Sequence, residues 1–102
     1  MNIIKVSLNS PTAVVAGAIA SVMREHRYAE VQSIGAGAIN QAIKAVILAK
    51  EYLVKGEIEI VCVPKFVDVE IDGKVRTAIR LTIIPRGEEQ PQEKPAATIT
   101  AE

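Results

Sequence analysis

The chain is poor in the side chains that do chemistry. It holds one cysteine, Cys62, one histidine, His26, no tryptophan, and only Tyr28, Tyr52 and Phe66 as aromatic residues. A single cysteine closes no intramolecular disulfide. Without a second His or Cys there is no zinc ligand set and no Cys–His nucleophilic pair. His26 falls in the last turn of the first expected helix, where the helix dipole favours an imidazolium, and Cys62 lies in an apolar strand as an inert core thiol. The sequence therefore argues against an enzyme, a metal site or a cofactor. Long apolar runs are also missing: none approaches the ~18 residues of a membrane-spanning helix. The start Met1-Asn2-Ile3-Ile4-Lys5 lacks the features of a signal peptide, so a cytoplasmic protein is expected. Six glycines and five prolines exclude a collagen-like chain. What is abundant is apolar residues, 49% of 102, with 24% charged. That composition excludes disorder of the whole chain and fits one compact domain.

The formal charge of zero hides an asymmetry. Residues 1–86 carry eleven Lys/Arg against eight Asp/Glu, whereas 87–102 carry Lys94 against Glu88, Glu89, Glu93 and Glu102. Gly87 to Pro95 contains no large apolar residue, so it cannot offset its ordering entropy by burial. The expected division is a folded body over 1–86 and a flexible acidic tail over 87–102. The tail's plain role is solubility. A sharper one would be to mask a weakly basic surface on the body.

Along the body, Ile3-Ile4-Lys5-Val6-Ser7 reads as a strand. Ser10 and Pro11 then read as the cap and first position of a helix running to about His26. Its expected core face holds Val15, Ala18, Ile19 and Val22. Gly17, which costs about 1 kcal/mol against Ala inside a helix, calls for a packing reason. Glu30 to Ile34 is a second strand and Gly35-Ala36-Gly37 a turn. A helix follows over Ala38 to Leu53, with Ile39, Ala42, Ile43, Val46, Ile47 and Leu53 inward. Ile58 to Val63 is a strand that Pro64 either stops or places at an edge. Phe66 to Ile71 leads through Asp72-Gly73 into a last strand. There Val75, Thr77, Ile79, Leu81 and Ile83 face one way, and Arg76, Ala78, Arg80 and Thr82 the other. The hairpin is expected to turn through a three-residue loop, Ile71-Asp72-Gly73, because that register sets Glu70 against Lys74, Asp68 against Arg76 and Val69 against Val75. The result is an α+β two-layer sandwich in β-α-β-α-β-β order, a four-stranded mixed sheet with two helices on one face.

Two features bear on function. Gly35-Ala36-Gly37 opens a helix whose free N–H groups suit an anion. However, Asn40 stands where the dinucleotide pattern needs a third glycine, and no Walker sequence is present. Lys74, Arg76 and Arg80 form a basic stripe on the outward face of the hairpin, with Phe66 expected beside them, an arrangement that contacts phosphates and stacks a base. The competing reading is a salt-bridged, solvated face, with Asp68 and Glu70 as the partners and no acid–base dyad among them.

Lys5-Val6-Ser7, Val15-Ala16-Gly17-Ala18, Ile34-Gly35-Ala36-Gly37-Ala38-Ile39-Asn40-Gln41-Ala42-Ile43-Lys44-Ala45, Asp68-Val69-Glu70-Ile71-Asp72-Gly73 and Arg76-Thr77-Ala78-Ile79 together resemble the stage V sporulation protein S family over about residues 2–86. That resemblance implies a bacterial cytoplasmic regulator of spore development, similar in fold to the Alba nucleic-acid-binding proteins, which usually dimerise. The likeness to Alba thins where function sits. The basic residues after the first strand are replaced by Leu8-Asn9-Ser10, the Arg-Gly-Arg-like approach by Gly35-Ala36-Gly37, and a helix lysine by Gln41. Lys44, Lys74, Arg76 and Arg80 remain as phosphate contacts, with Asn40 and Gln41 as neutral hydrogen-bonding groups. The expected partners are DNA or RNA, bound weakly and salt-sensitively, and a second copy of the chain in a dimer or tetramer. The rival expectation is a self-assembling protein-interaction module that binds no nucleic acid.

Overall fold

A computed structural model of the chain describes residues 3–88. The acidic tail thus lies, from Glu89 on, outside the described residues. The elements are β1 (Ile3–Val6), α1 (Thr12–His26), β2 (Ala29–Ser33), α2 (Ala36–Val54), β3 (Ile60–Ile71) and β4 (Lys74–Pro85). They form one four-stranded sheet in the order β1-β2-β4-β3. β1 and β2 run parallel across the α1 crossover, and the other neighbours are antiparallel, so the sheet is mixed. The expected element order and sheet are present. Pro64 does not stop β3: the strand runs through it at the sheet edge, where its missing N–H costs no ladder bond.

The core lies between the helices and one face of the sheet. Ile19 and Met23 of α1, Leu53 of α2, Val31 of β2 and Ile83 of β4 are its largest fully buried side chains. The phase of both helices differs in part from expectation. In α1 the buried residues are Val15, Ala16, Ile19, Ala20 and Met23, while Ala18 is exposed and Val22 half-buried. In α2 the buried stripe is Ala38, Ala42, Ala45, Ala49 and Leu53, whereas Ile43 and Ile47 are 41% and 55% exposed. Alanines let α2 approach α1 and the sheet closely, and the isoleucines then rotate away.

Gly17 has no packing reason. It is exposed, and a Cβ built on it meets nothing within 4 Å. The start of α1 also differs. Pro11 is the cap residue and makes no side-chain cap bond, while the Ser10 hydroxyl oxygen accepts the Ser7 N–H at 2.9 Å and closes the β1–α1 turn.

Candidate nucleic-acid interface

The hairpin tip decides what the outer sheet face carries. Asp72 and Gly73 have φ of 52° and 77°, the pair of positive values that defines a two-residue primed turn. Ile71 therefore pairs with Lys74, Glu70 with Val75, Val69 with Arg76 and Asp68 with Thr77. This overturns the three-residue loop. Opposite charges across strands contribute only a few tenths of a kcal/mol each, less than the fit of an Asp-Gly turn to the strands' twist.

A one-residue change of register moves every partner to the other face. Paired residues share a face, so Asp68, Glu70 and Phe66 lie on the side of Thr77, Val75 and Ile79, with Ile79 packed against the helix-side core. Lys74, Arg76 and Arg80 lie on the opposite, outer side. The expected pairs Asp68–Arg76 and Glu70–Lys74 are absent; Asp68 instead accepts the Thr77 hydroxyl at 3.3 Å. Phe66, 77% exposed, is on the helix side and stands apart from the basic stripe.

Two residues that the sequence reading missed join the outer face. Lys65 pairs with Arg80 and Lys5 with Gln32. Strand alternation gave the parity of each lysine but no way to align one strand with another. Arg80, half-buried, donates from Nε and Nη2 to Gln32 Oε1 at 3.2 and 2.6 Å. Gln32 is itself only 9% exposed. Among the paired strand residues of this face the single carboxylate is Glu30, paired with Thr82 and accepting the Tyr28 hydroxyl at 3.1 Å. Burial, with the bond to Glu30 and its charge, raises the Tyr28 phenol above its ordinary range.

The ion pairs among the described residues lie elsewhere. Arg27–Glu88 at 2.8 Å and Arg86–Glu59 at 2.6 Å tie the ends of β4, α1 and β3 together, and His26 sits 3.8 Å from Glu25 at the end of α1.

The remaining candidates belong to the helix layer. Asn40 and Lys44 are exposed one turn apart on α2. Gln41 is engaged in structure: its amide nitrogen donates to the Ser10 carbonyl at 3.0 Å, pinning α2 to the β1–α1 turn. Gly35 caps α2 with φ of 91° and no side-chain bond, followed by exposed Ala36. Gly37 lies beneath the exposed Leu8, whose Cδ1 would sit 2.5 Å from a Cβ placed there. The structure thus brings Lys74, Arg76 and Arg80 to one face, while Asn40, Gln41, Lys44 and the glycine turn occupy the other layer.

Cys62 is half-buried, and that burial pushes its thiol up, as fits an unreactive side chain. Among the described residues no three His, Cys, Asp or Glu side chains are grouped to hold a metal, and no helix is long and apolar enough to cross a membrane. The quoted sequence blocks fall on β1, both helices and the long hairpin. The family model for stage V sporulation protein S matches residues 2–86, and with that match the chain belongs to the stage V sporulation protein S family.

Proposed function

We propose that the protein is a non-enzymatic regulator that binds nucleic acid, DNA or RNA, through the cations of its outer sheet face. Family membership supports a role related to sporulation. The observation that carries the reading is the hairpin register: Lys74, Arg76 and Arg80 share one face, while Asp68 and Glu70 are on the other. Cations left unneutralised by their own neighbours are available to phosphates, and counterion release then drives association. The contacts per protomer are few, so binding is weak and steeply salt-dependent. Lys44 and Asn40 contribute where a nucleic acid wraps past the sheet to the helix layer or bridges two protomers, and Gln41, its amide nitrogen held by Ser10, supports the turn beside them. The Gly35–Gly37 turn offers helix N–H groups to the same class of anion.

The test is fluorescence anisotropy with labelled DNA and RNA at low salt. The charge reversal R76E/R80E is expected to lower affinity on the order of a hundredfold and flatten the salt dependence. Unchanged affinity would discard these roles.

A second reading, self-association, is favoured by a separate observation. Ile43, Ile47 and Val54 of α2 and Phe66 and Val75 of the hairpin are exposed large apolar residues. Phe66 and Val75 lie on the helix side of the sheet. Exposed apolar residues of this kind mark recognition surfaces, and a second copy of the chain covering them would form a dimer. On the hairpin the two readings are compatible, because Phe66 and Val75 lie on the opposite side from Lys74, Arg76 and Arg80; on α2 they compete, because Asn40 and Lys44 share its exposed surface with Ile43 and Ile47.

A further inference from the structure

The three strand registers align four polar residues in one transverse row. Lys65 pairs with Arg80, Arg80 with Gln32, and Gln32 with Lys5. The row therefore crosses the whole sheet from the β3 edge to the β1 edge, about 14 Å at the usual strand spacing. All four residues are on the outer face, and three of them are cations. The Gln32 carbonyl oxygen is taken up by Arg80, so its amide nitrogen is left to donate. Arg80 is bound by a neutral amide alone. Among the described residues it meets no carboxylate within ion-pair distance. A half-buried guanidinium without a counter-ion keeps its charge for a ligand.

The rows on either side differ in character. Toward the hairpin tip, Val67 pairs with Ala78. Toward the other end, Val63, Thr82, Glu30 and Ile3 align across the four strands. Glu30 is thus one pleat away from the cationic row and repels an anion placed over its own row. That fixes where a phosphate backbone can lie. Val63, Val67 and Ile3 offer apolar surface beside it, half-buried, which suits the face of an unpaired base; a duplex presents phosphates and sugars there instead.

We infer that this row is the track of a single-stranded nucleic acid, DNA or RNA, running across the sheet with its phosphates over Lys65, Arg80, Gln32 and Lys5 and its bases over the neighbouring valines. The inference rests on the nucleic-acid reading above and deepens it. It adds three residues, Lys5, Gln32 and Lys65, and commits to the unpaired strand over the duplex.

The test uses the full chain and two probes, a labelled single-stranded oligonucleotide of mixed sequence and the same sequence as a duplex, over a salt series. The variant pair is K5Q/K65Q, both at exposed positions, so the fold is retained; K74Q/K44Q, two cations of the broader reading that lie outside the row, is the control for phosphate contacts elsewhere and is expected to lose less affinity for the single strand than the row pair. The wild type is expected to prefer the single strand. K5Q/K65Q is expected to lose on the order of tenfold affinity for it, with a log–log salt slope shallower by about 1.4, the loss of two phosphate contacts at 0.7 each. A loss confined to the control pair overturns the row and leaves the broader reading standing. Equal affinity for duplex and single strand, equally weakened, overturns the commitment to unpaired strands. No binding of either probe by the wild type at low salt overturns both.

Discussion

Gly17 shows how a residue departs from its expectation in a way that can be measured. Glycine inside a helix costs backbone entropy, and the cost is tolerated where a side chain would collide. Here nothing would collide, since a Cβ at Gly17 enters open space on an exposed turn of α1. Gly17→Ala is therefore expected to stabilise the fold by about 1 kcal/mol, read as a urea midpoint higher by roughly 0.5 M with an unchanged slope. A lower midpoint would show that this face of α1 is covered in solution. The turn residues Asp72 and Gly73 teach a related lesson. The dipeptide is legible in the sequence as a turn. Its loop length is misjudged when weak charge pairing is set against backbone geometry, because Asp72 accepts φ of 52°, a conformation open to Asp and Asn more readily than to most residues.

At the scale of elements, helix existence and helix phase separate cleanly. The helical spacing of apolar residues in α2 was visible, and the helix is there. Its phase was not, because alanine and isoleucine both count as apolar while only one of them allows close helix packing. The buried stripe of alanines, Ala42, Ala45 and Ala49, is fully enclosed, and a larger side chain there must displace its neighbours. Ala49→Leu is expected to destabilise by about 1–3 kcal/mol through overpacking, whereas Ile47→Leu changes stability by less than about 0.5 kcal/mol; thermal unfolding followed by circular dichroism distinguishes them. The reverse order would restore the isoleucine face to the core. The hairpin carries the same lesson for the site. Alternation along β4 correctly placed Arg76 and Arg80 together, but Phe66, Lys65 and Lys5 sit on other strands, and their faces depend on registers that no single strand encodes.

For the whole molecule, the order of elements and the mixed sheet followed from periodicity and turn residues, whereas the assignment to a family came from specific blocks such as Gly35 to Gln41. Neither source reaches the surface that emerges when both are assembled. Helix α2 buries Ala38, Ala42, Ala45 and Ala49 and leaves Ile43, Ile47 and Val54 in water, and the hairpin leaves Phe66 and Val75 there too, an inversion that is costly for an isolated protomer. A second copy packed on these residues would remove the cost, and under the proposed function it would leave both outer sheet faces to one nucleic acid. The expected outcome is a dimer in sedimentation equilibrium at micromolar concentration. I43E/I47E is expected to sediment as a monomer with an unchanged far-ultraviolet spectrum, because neither isoleucine belongs to the core stripe, and to bind a long oligonucleotide more weakly than the wild type while keeping its affinity for a short one. If the wild type is a monomer throughout, the exposed isoleucines serve another partner. If the variant dimerises as well, the contact lies elsewhere on the molecule.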